Sequence, residues 1–135
     1  LYEPIQKIIA LSHAGWRGLM EGVLENTLRT IAAAGGDITK LRIGMGPSIQ
    51  WCHFQIGTDI LPVFARYPHC IEERDGKFFV NLQQIIKEKL IANGVPEHHI
   101  QNDSQCTYCH PRFFSFRRDK PLITKTMVAV MGLRG

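Results

Sequence analysis

The apolar positions along the chain change period several times, and each change marks an element. Lys7 to Leu11 carries a continuous apolar run, Ile8 to Leu11, that predicts a short buried strand ending at Ser12-His13. Beyond Gly15 the period lengthens. Met20, Val23, Leu24, Thr27, Leu28 and Ile31 recur at spacings of three and four, which predicts one helix with a single apolar face. Gly35-Gly36 closes it by supplying the left-handed backbone that a helix C-terminus uses. Leu41 to Met45 alternates and predicts a second strand, stopped by Gly46-Pro47. A short strand is expected around Phe54 to Ile56. Asp59 is then placed to cap a helix through about Arg66, with Pro62 in its first turn.

Glu72-Glu73-Arg74 and Lys77-Phe78-Phe79-Val80 flank Asp75-Gly76, a pair suited to a two-residue hairpin turn. Asn81 with Gln84 predicts a capped helix bearing Leu82, Ile85, Ile86 and Leu90, which Asn93-Gly94 and Pro96 end. Two further strands are expected at Phe113 to Arg117 and at Thr126 to Leu133. Strands alternating with helices, plus one hairpin, predict an α/β fold with a mixed sheet.

Composition narrows the class. The chain has 135 residues, the size of one ordinary domain, with 44% apolar and 21% charged residues as in a soluble globular protein. The longest apolar runs, such as Met127 to Met131, are too short to cross a bilayer, and no signal peptide is visible, so a membrane role is not expected. The net charge of +4 is modest and scattered, dense only at Arg117-Arg118-Asp119-Lys120. That argues against nucleic acid and suits a small anionic substrate. Cys52, Cys70, Cys106 and Cys109 in a chain of this size fit a reducing cytoplasm better than a disulfide framework.

Candidate chemistry begins at His13, which the first strand delivers to its C-terminal end just before a helix. Open α/β sheets place ligands at such junctions. Gly15 and Gly18 let the backbone turn and a ligand approach, and unpaired amides at the helix start suit an anion such as phosphate. Arg17 in the first turn opposes the helix dipole unless it faces a bound anion. The alternative is a hydrogen-bonded His13 and a solvated Arg17.

Cys106-Thr107-Tyr108-Cys109-His110 has the spacing that places two thiolates on one zinc. A structural site needs a second half, for which His69-Cys70 is the available pair. Cys52-His53 suggests a thiol and a base, but in a strand the two would point to opposite faces, leaving Cys52 with His13, or Cys52 as a buried hydrophobe. In a strand from Phe113, Arg117 and Arg118 project to opposite faces, and either could recognise phosphate or carboxylate.

His-Ala-Gly-Trp-Arg-Gly at 13–18, Gly-Pro-Ser-Ile at 46–49 with Cys52, Phe54, Ile56 and Gly57 following, Cys106-Thr107-Tyr108, and Phe113-Phe114-Ser115-Phe116-Arg117-Arg118-Asp119 occur in this order. The chain, from about Ile8 to Asp119, thereby resembles the YfiH-like laccase-domain family, also described as multicopper polyphenol oxidase-like proteins or purine nucleoside phosphorylases. The resemblance implies a three-layer α/β/α fold with a mixed sheet and a catalytic zinc. It implies phosphorolysis of adenosine, inosine, guanosine and methylthioadenosine, with adenosine deamination. Copper-dependent phenol oxidation is the older activity ascribed to the family.

The family's metal is held by two His and one Cys, of which His13 matches one. The other two come from segments N-terminal to that motif, so 1–135 is expected to be a single laccase-type domain lacking those segments. The family also usually carries Gly-Arg before the last strand, where this chain has Lys125-Thr126. The expected partners are a purine nucleoside and phosphate, with oligomeric state left open. The rival functions are a non-catalytic remnant and a thiol hydrolase using Cys52 with His13.

Overall fold

The computed structural model describes residues 1–120 and 126–134, and these form two compact units. The first comprises 1–45, 86–102 and the end of the chain from residue 129; the second comprises 46–85 and 103–128.

In the first unit the opening strand is shorter than its apolar run. β1 (Tyr2–Glu3) pairs antiparallel with β2 (Ile8–Ile9), and Glu3, fully buried, accepts the amides of Ile5 and Gln6 to fold the intervening turn. Tyr2 exchanges two backbone hydrogen bonds with Arg42 (2.9 and 2.8 Å), just before β3 (Ile43–Met45). β3 in turn runs parallel to β7 (Ile100–Asn102). Antiparallel and parallel pairings thus meet in one mixed arrangement, as the sequence predicts.

The single helix expected after Gly15 is two. α1 (Trp16–Met20) stops at Glu21, and α2 (Val23–Ala33) starts after Gly22, whose φ of +90° breaks the helical path. The apolar spacing survives the break because Leu19, Leu24, Leu28 and Ile31 still face inward, buried with Leu41, Ile43, Leu90 and Val95. Lys89, on α3 (Leu82–Ala92), reaches Glu25 of α2 at 2.5 Å. Burial disfavours the Glu25 carboxylate, but the Lys89 contact, a backbone hydrogen bond and the charges of Lys89 and Arg29 together outweigh it and hold its pKa below the ordinary value.

The second unit is built on a three-stranded antiparallel sheet, β4 (Gln55–Ile56), β6 (Lys77–Val80) and β5 (Ile71–Arg74) in that order. The hairpin forms as expected, with Asp75 and Gly76 both at positive φ (+50° and +69°), as a type I′ turn requires. Asn81 caps α3 by accepting the Gln84 amide at 3.0 Å. Phe54, Ile56, Phe64, Cys70, Val80, Ile85 and Cys106 form the buried core of this unit.

Three expected elements differ. Asp59 caps no α-helix; a 3₁₀ turn at Leu61–Phe64 follows Ile60, since Pro62 removes a donor and the stretch is one turn long. Phe113 to Arg117 is not a strand. The Arg118 guanidinium collects the carbonyls of Thr107, Tyr108, His110 and Phe113, winding the segment into turns that end in α4 (Phe116–Asp119). Residues 126–134 form no strand, and Val128 and Val130 lie exposed without a partner strand among the described residues. Lys125 lies outside the described residues. No described helix is long and apolar enough to cross a membrane.

Candidate functional site

Of the residues singled out in the sequence, His13, Gly15, Arg17 and Gly18 lie in the first unit, and Cys52, Arg117 and Arg118 in the second.

His13 sits in the connection between β2 and α1 with its side chain exposed. Gly15 has an ordinary backbone conformation (φ −65°), so its role is spatial: a Cβ there would lie 3.1 Å from His13 Nε2. Gly18 is different. A Cβ there would make only ordinary contacts with Val23, at 3.7 Å and beyond. Gly15 therefore shapes the space beside the imidazole, whereas Gly18 has no such constraint.

The anion argument based on a helix start is weakened, because α1 has five residues and a weak dipole. Arg17 is exposed, and its guanidinium lies over the Trp16 ring at 4.5 Å. That stacking engages the face of the guanidinium and does not use its N–H donors. Among the described residues His13 belongs to no group of three metal-ligating side chains. One imidazole does not hold a metal tightly, so these residues by themselves form no complete metal centre.

The second unit gathers a different set. The Gly46-Pro47-Ser48-Ile49 segment pairs with the Cys106 turn through a parallel bridge, Thr107 donating to the Ser48 carbonyl at 3.0 Å. The Gln83 side chain fastens this junction by donating to Ser48 Oγ (3.1 Å) and the Asp103 carbonyl (3.0 Å). The chain then turns at 51–53 instead of running as a strand, so Cys52 and His53 point the same way. His53 Nδ1 lies 3.2 Å from Cys52 Sγ and 3.2 Å from Cys109 Sγ, and the two sulfurs are 3.8 Å apart.

With Cys106 they form a group of four whose ligand atoms all lie within 4.8 Å of one another, able to hold a metal ion. The partner of the Cys-x-x-Cys pair is thus Cys52-His53, not His69-Cys70. The sequence signal was present, and the assumption of strand alternation at 52–53 hid it.

The thiols differ electrostatically. Burial pushes Cys52 up, and the sulfurs of Cys106 and Cys109 push it further, to about 12. Burial also opposes the Cys106 thiolate, but the amides of Gln50, Cys109 and Tyr108 donate to that sulfur and hold its pKa below the ordinary value. Cys52 is accordingly a poor nucleophile at neutral pH, which disfavours a thiol hydrolase built on it.

Beside the cluster lies an open cleft of about 340 Å³ lined by Cys52, His53, Gln55, Lys77, Phe79, Tyr108 and Arg117. Arg117 is exposed and spends one donor on the Gln55 carbonyl at 2.8 Å. Arg118 instead turns inward, its donors taken by backbone carbonyls and by Asp119.

The chain has known relatives. Residues 1–134 match the family described as multi-copper polyphenol oxidoreductase laccase, and the chain belongs to that family. It is 38% identical over 109 residues to a purine nucleoside phosphorylase of Aquifex aeolicus, covering 80% of this chain and 49% of that protein. It is 30% identical over 118 residues to the adenosine deaminase RL5 of an unknown prokaryotic organism, covering 82% of this chain and 45% of that protein. The fold matches the crystal structure of the Bacillus licheniformis hypothetical protein YfiH, with TM-score 0.79 at 24% identity, over 87% of this chain and 47% of that one. The chain spans about half the length of the curated relatives it matches. The α/β class is that of a partial YfiH-like domain.

Proposed function

We propose that this chain is part of a purine nucleoside phosphorylase that also deaminates adenosine, with His13 as one ligand of its catalytic zinc. The observation that carries this reading is His13 itself: exposed at a strand-to-helix connection, with Gly15 kept free of a side chain beside its Nε2. The names of the relatives support the chemistry, and the remaining two ligands are assigned to sequence outside these residues. A metal bound there supplies Lewis-acid polarisation or an activated water.

The residues present have their own tasks. Arg17 offers a forked donor set to phosphate and orients it toward the ribose. In phosphorolysis a phosphate oxygen bonds to the anomeric carbon, the bond from that carbon to the purine nitrogen breaks, and the base leaves with the electron pair and takes up a proton. In deamination water adds at C6 and ammonia leaves. Arg117, with free donors at the surface, is the better of the adjacent pair for an anion, and Arg118 is a positioning residue. A reducing, cytoplasmic setting fits the four free thiols.

The experiment is a panel of adenosine, inosine, guanosine and methylthioadenosine, each incubated with the full-length protein with and without phosphate. Chromatography then separates free base, ribose 1-phosphate and deaminated nucleoside. Phosphate-dependent base release supports the proposal; base release that ignores phosphate contradicts it.

A further inference from the structure

The Cys52–His53–Cys106–Cys109 cluster shares no residue with the chemistry assigned to His13. A tetrahedral zinc with Zn–S of about 2.3 Å and Zn–N of about 2.0 Å requires S···S edges near 3.8 Å and S···N edges of about 3.5 Å. The Cys52–Cys109 separation of 3.8 Å matches the first, and His53 Nδ1, 3.2 Å from both sulfurs, lies within a few tenths of the second. Cys106 completes the set within the same 4.8 Å envelope.

Three further features point to an ion. The Gln50 amide donates to Cys106 Sγ at 3.4 Å, a contact that favours a thiolate over a neutral thiol. His53 stacks on Tyr108, with centroids 4.1 Å apart and planes 17° apart, which fixes its ring with Nδ1 facing the sulfurs. Three thiolates on a dication leave a net negative charge, and Lys77 and Arg117 line the cleft beside it.

We propose that Cys52, His53, Cys106 and Cys109 form a closed, structural zinc site that clamps the turn at 51–53 to the turn at 106–109. Four protein ligands leave no position for substrate or water, so the ion is a staple rather than a catalyst. Each thiol loses its proton to solvent on binding, so uptake is accompanied by proton release.

The test is cobalt(II) reconstitution of the full-length protein under reducing conditions, read by thiolate-to-cobalt charge transfer and by the visible bands of tetrahedral cobalt. The expected spectrum is that of a three-thiolate tetrahedral site, retained in His13→Ala. Cys106→Ser and Cys109→Ser are expected to weaken cobalt binding by more than about tenfold, since even indirect partners of a ligand cost that much. Should Cys106→Ser fail to fold, Cys109→His keeps four ligands and is expected to bind with a weaker charge-transfer band.

Absence of thiolate charge transfer in folded wild-type protein overturns the proposal. So does a band that survives Cys109→Ser undiminished, or a reductant-reversible Cys52–Cys109 disulfide in the protein as isolated. None of these readings depends on turnover of nucleosides.

Discussion

Arg118 and Asp119, neighbours in sequence, grip each other through two contacts, Nε to Oδ1 at 2.7 Å and Nη2 to Oδ2 at 2.9 Å. Asp119 also accepts the Ser115 amide at 2.8 Å, while Arg118 reaches back to carbonyls of the Cys106 turn. The pair therefore ties the Phe-Phe-Ser-Phe segment to the cysteine turn. The hydrogen bond from Arg118, then the Ser115 amide, hold the Asp119 carboxyl below its ordinary range.

A carboxyl with a depressed folded pKa contributes stability that is complete above its unfolded value, about 3.9, and is lost as pH falls through the folded value. Acid unfolding of the wild type is expected to include this step below about pH 4. Asp119→Asn should remove that contribution from the acid limb and raise hydrogen exchange across 106–118. An unchanged acid limb with unchanged exchange contradicts the clamp.

Gly15 and Gly18 separate shape from fold. Gly15→Ala suits the backbone but places a methyl against the His13 ring, so activity of the full-length protein is expected to fall roughly tenfold or more while thermal stability changes little. Gly18→Ala meets ordinary contacts only and is expected to leave activity near wild type. Paired kinetics and melting curves check both. Equal loss in the two variants would contradict the spatial role given to Gly15.

Phe64 and Phe116 differ greatly in the fold. Phe64 is fully buried, whereas Phe116 is 72% exposed. Denaturant titration is expected to show Phe64→Ala losing about 3–5 kcal/mol and Phe116→Ala less than about 0.5 kcal/mol. A large loss at Phe116 would mean that the segment packs otherwise.

The contrast between those residues shows what the sequence could reveal. Helix faces were legible, because Leu24, Leu28 and Ile31 keep their spacing whether or not Gly22 interrupts the backbone. The Asp75-Gly76 hairpin and the Asn81 cap were legible too, since each is decided within a few residues. The turn at 113–118 was not, because Arg118 draws on carbonyls as far as eleven residues away, and alternation alone reads as a strand. The cysteine cluster escaped for a related reason. Cys52 and Cys109 are 57 positions apart, and only the turn at 51–53 aims Cys52 and His53 in one direction. His13 was singled out through its motif, and what the structure adds is its exposure beside Gly15.

The most direct measurement is phosphate-dependent release of hypoxanthine from inosine by the full-length protein and its His13→Ala variant, with metal content determined in parallel. The account predicts phosphate-dependent release in the wild type and a fall of at least about a hundredfold in the variant, since a lost ligand should cost no less than a lost outer partner. One metal equivalent, that of the cysteine cluster, is expected to remain in the variant. Release that persists undiminished in His13→Ala would contradict the account.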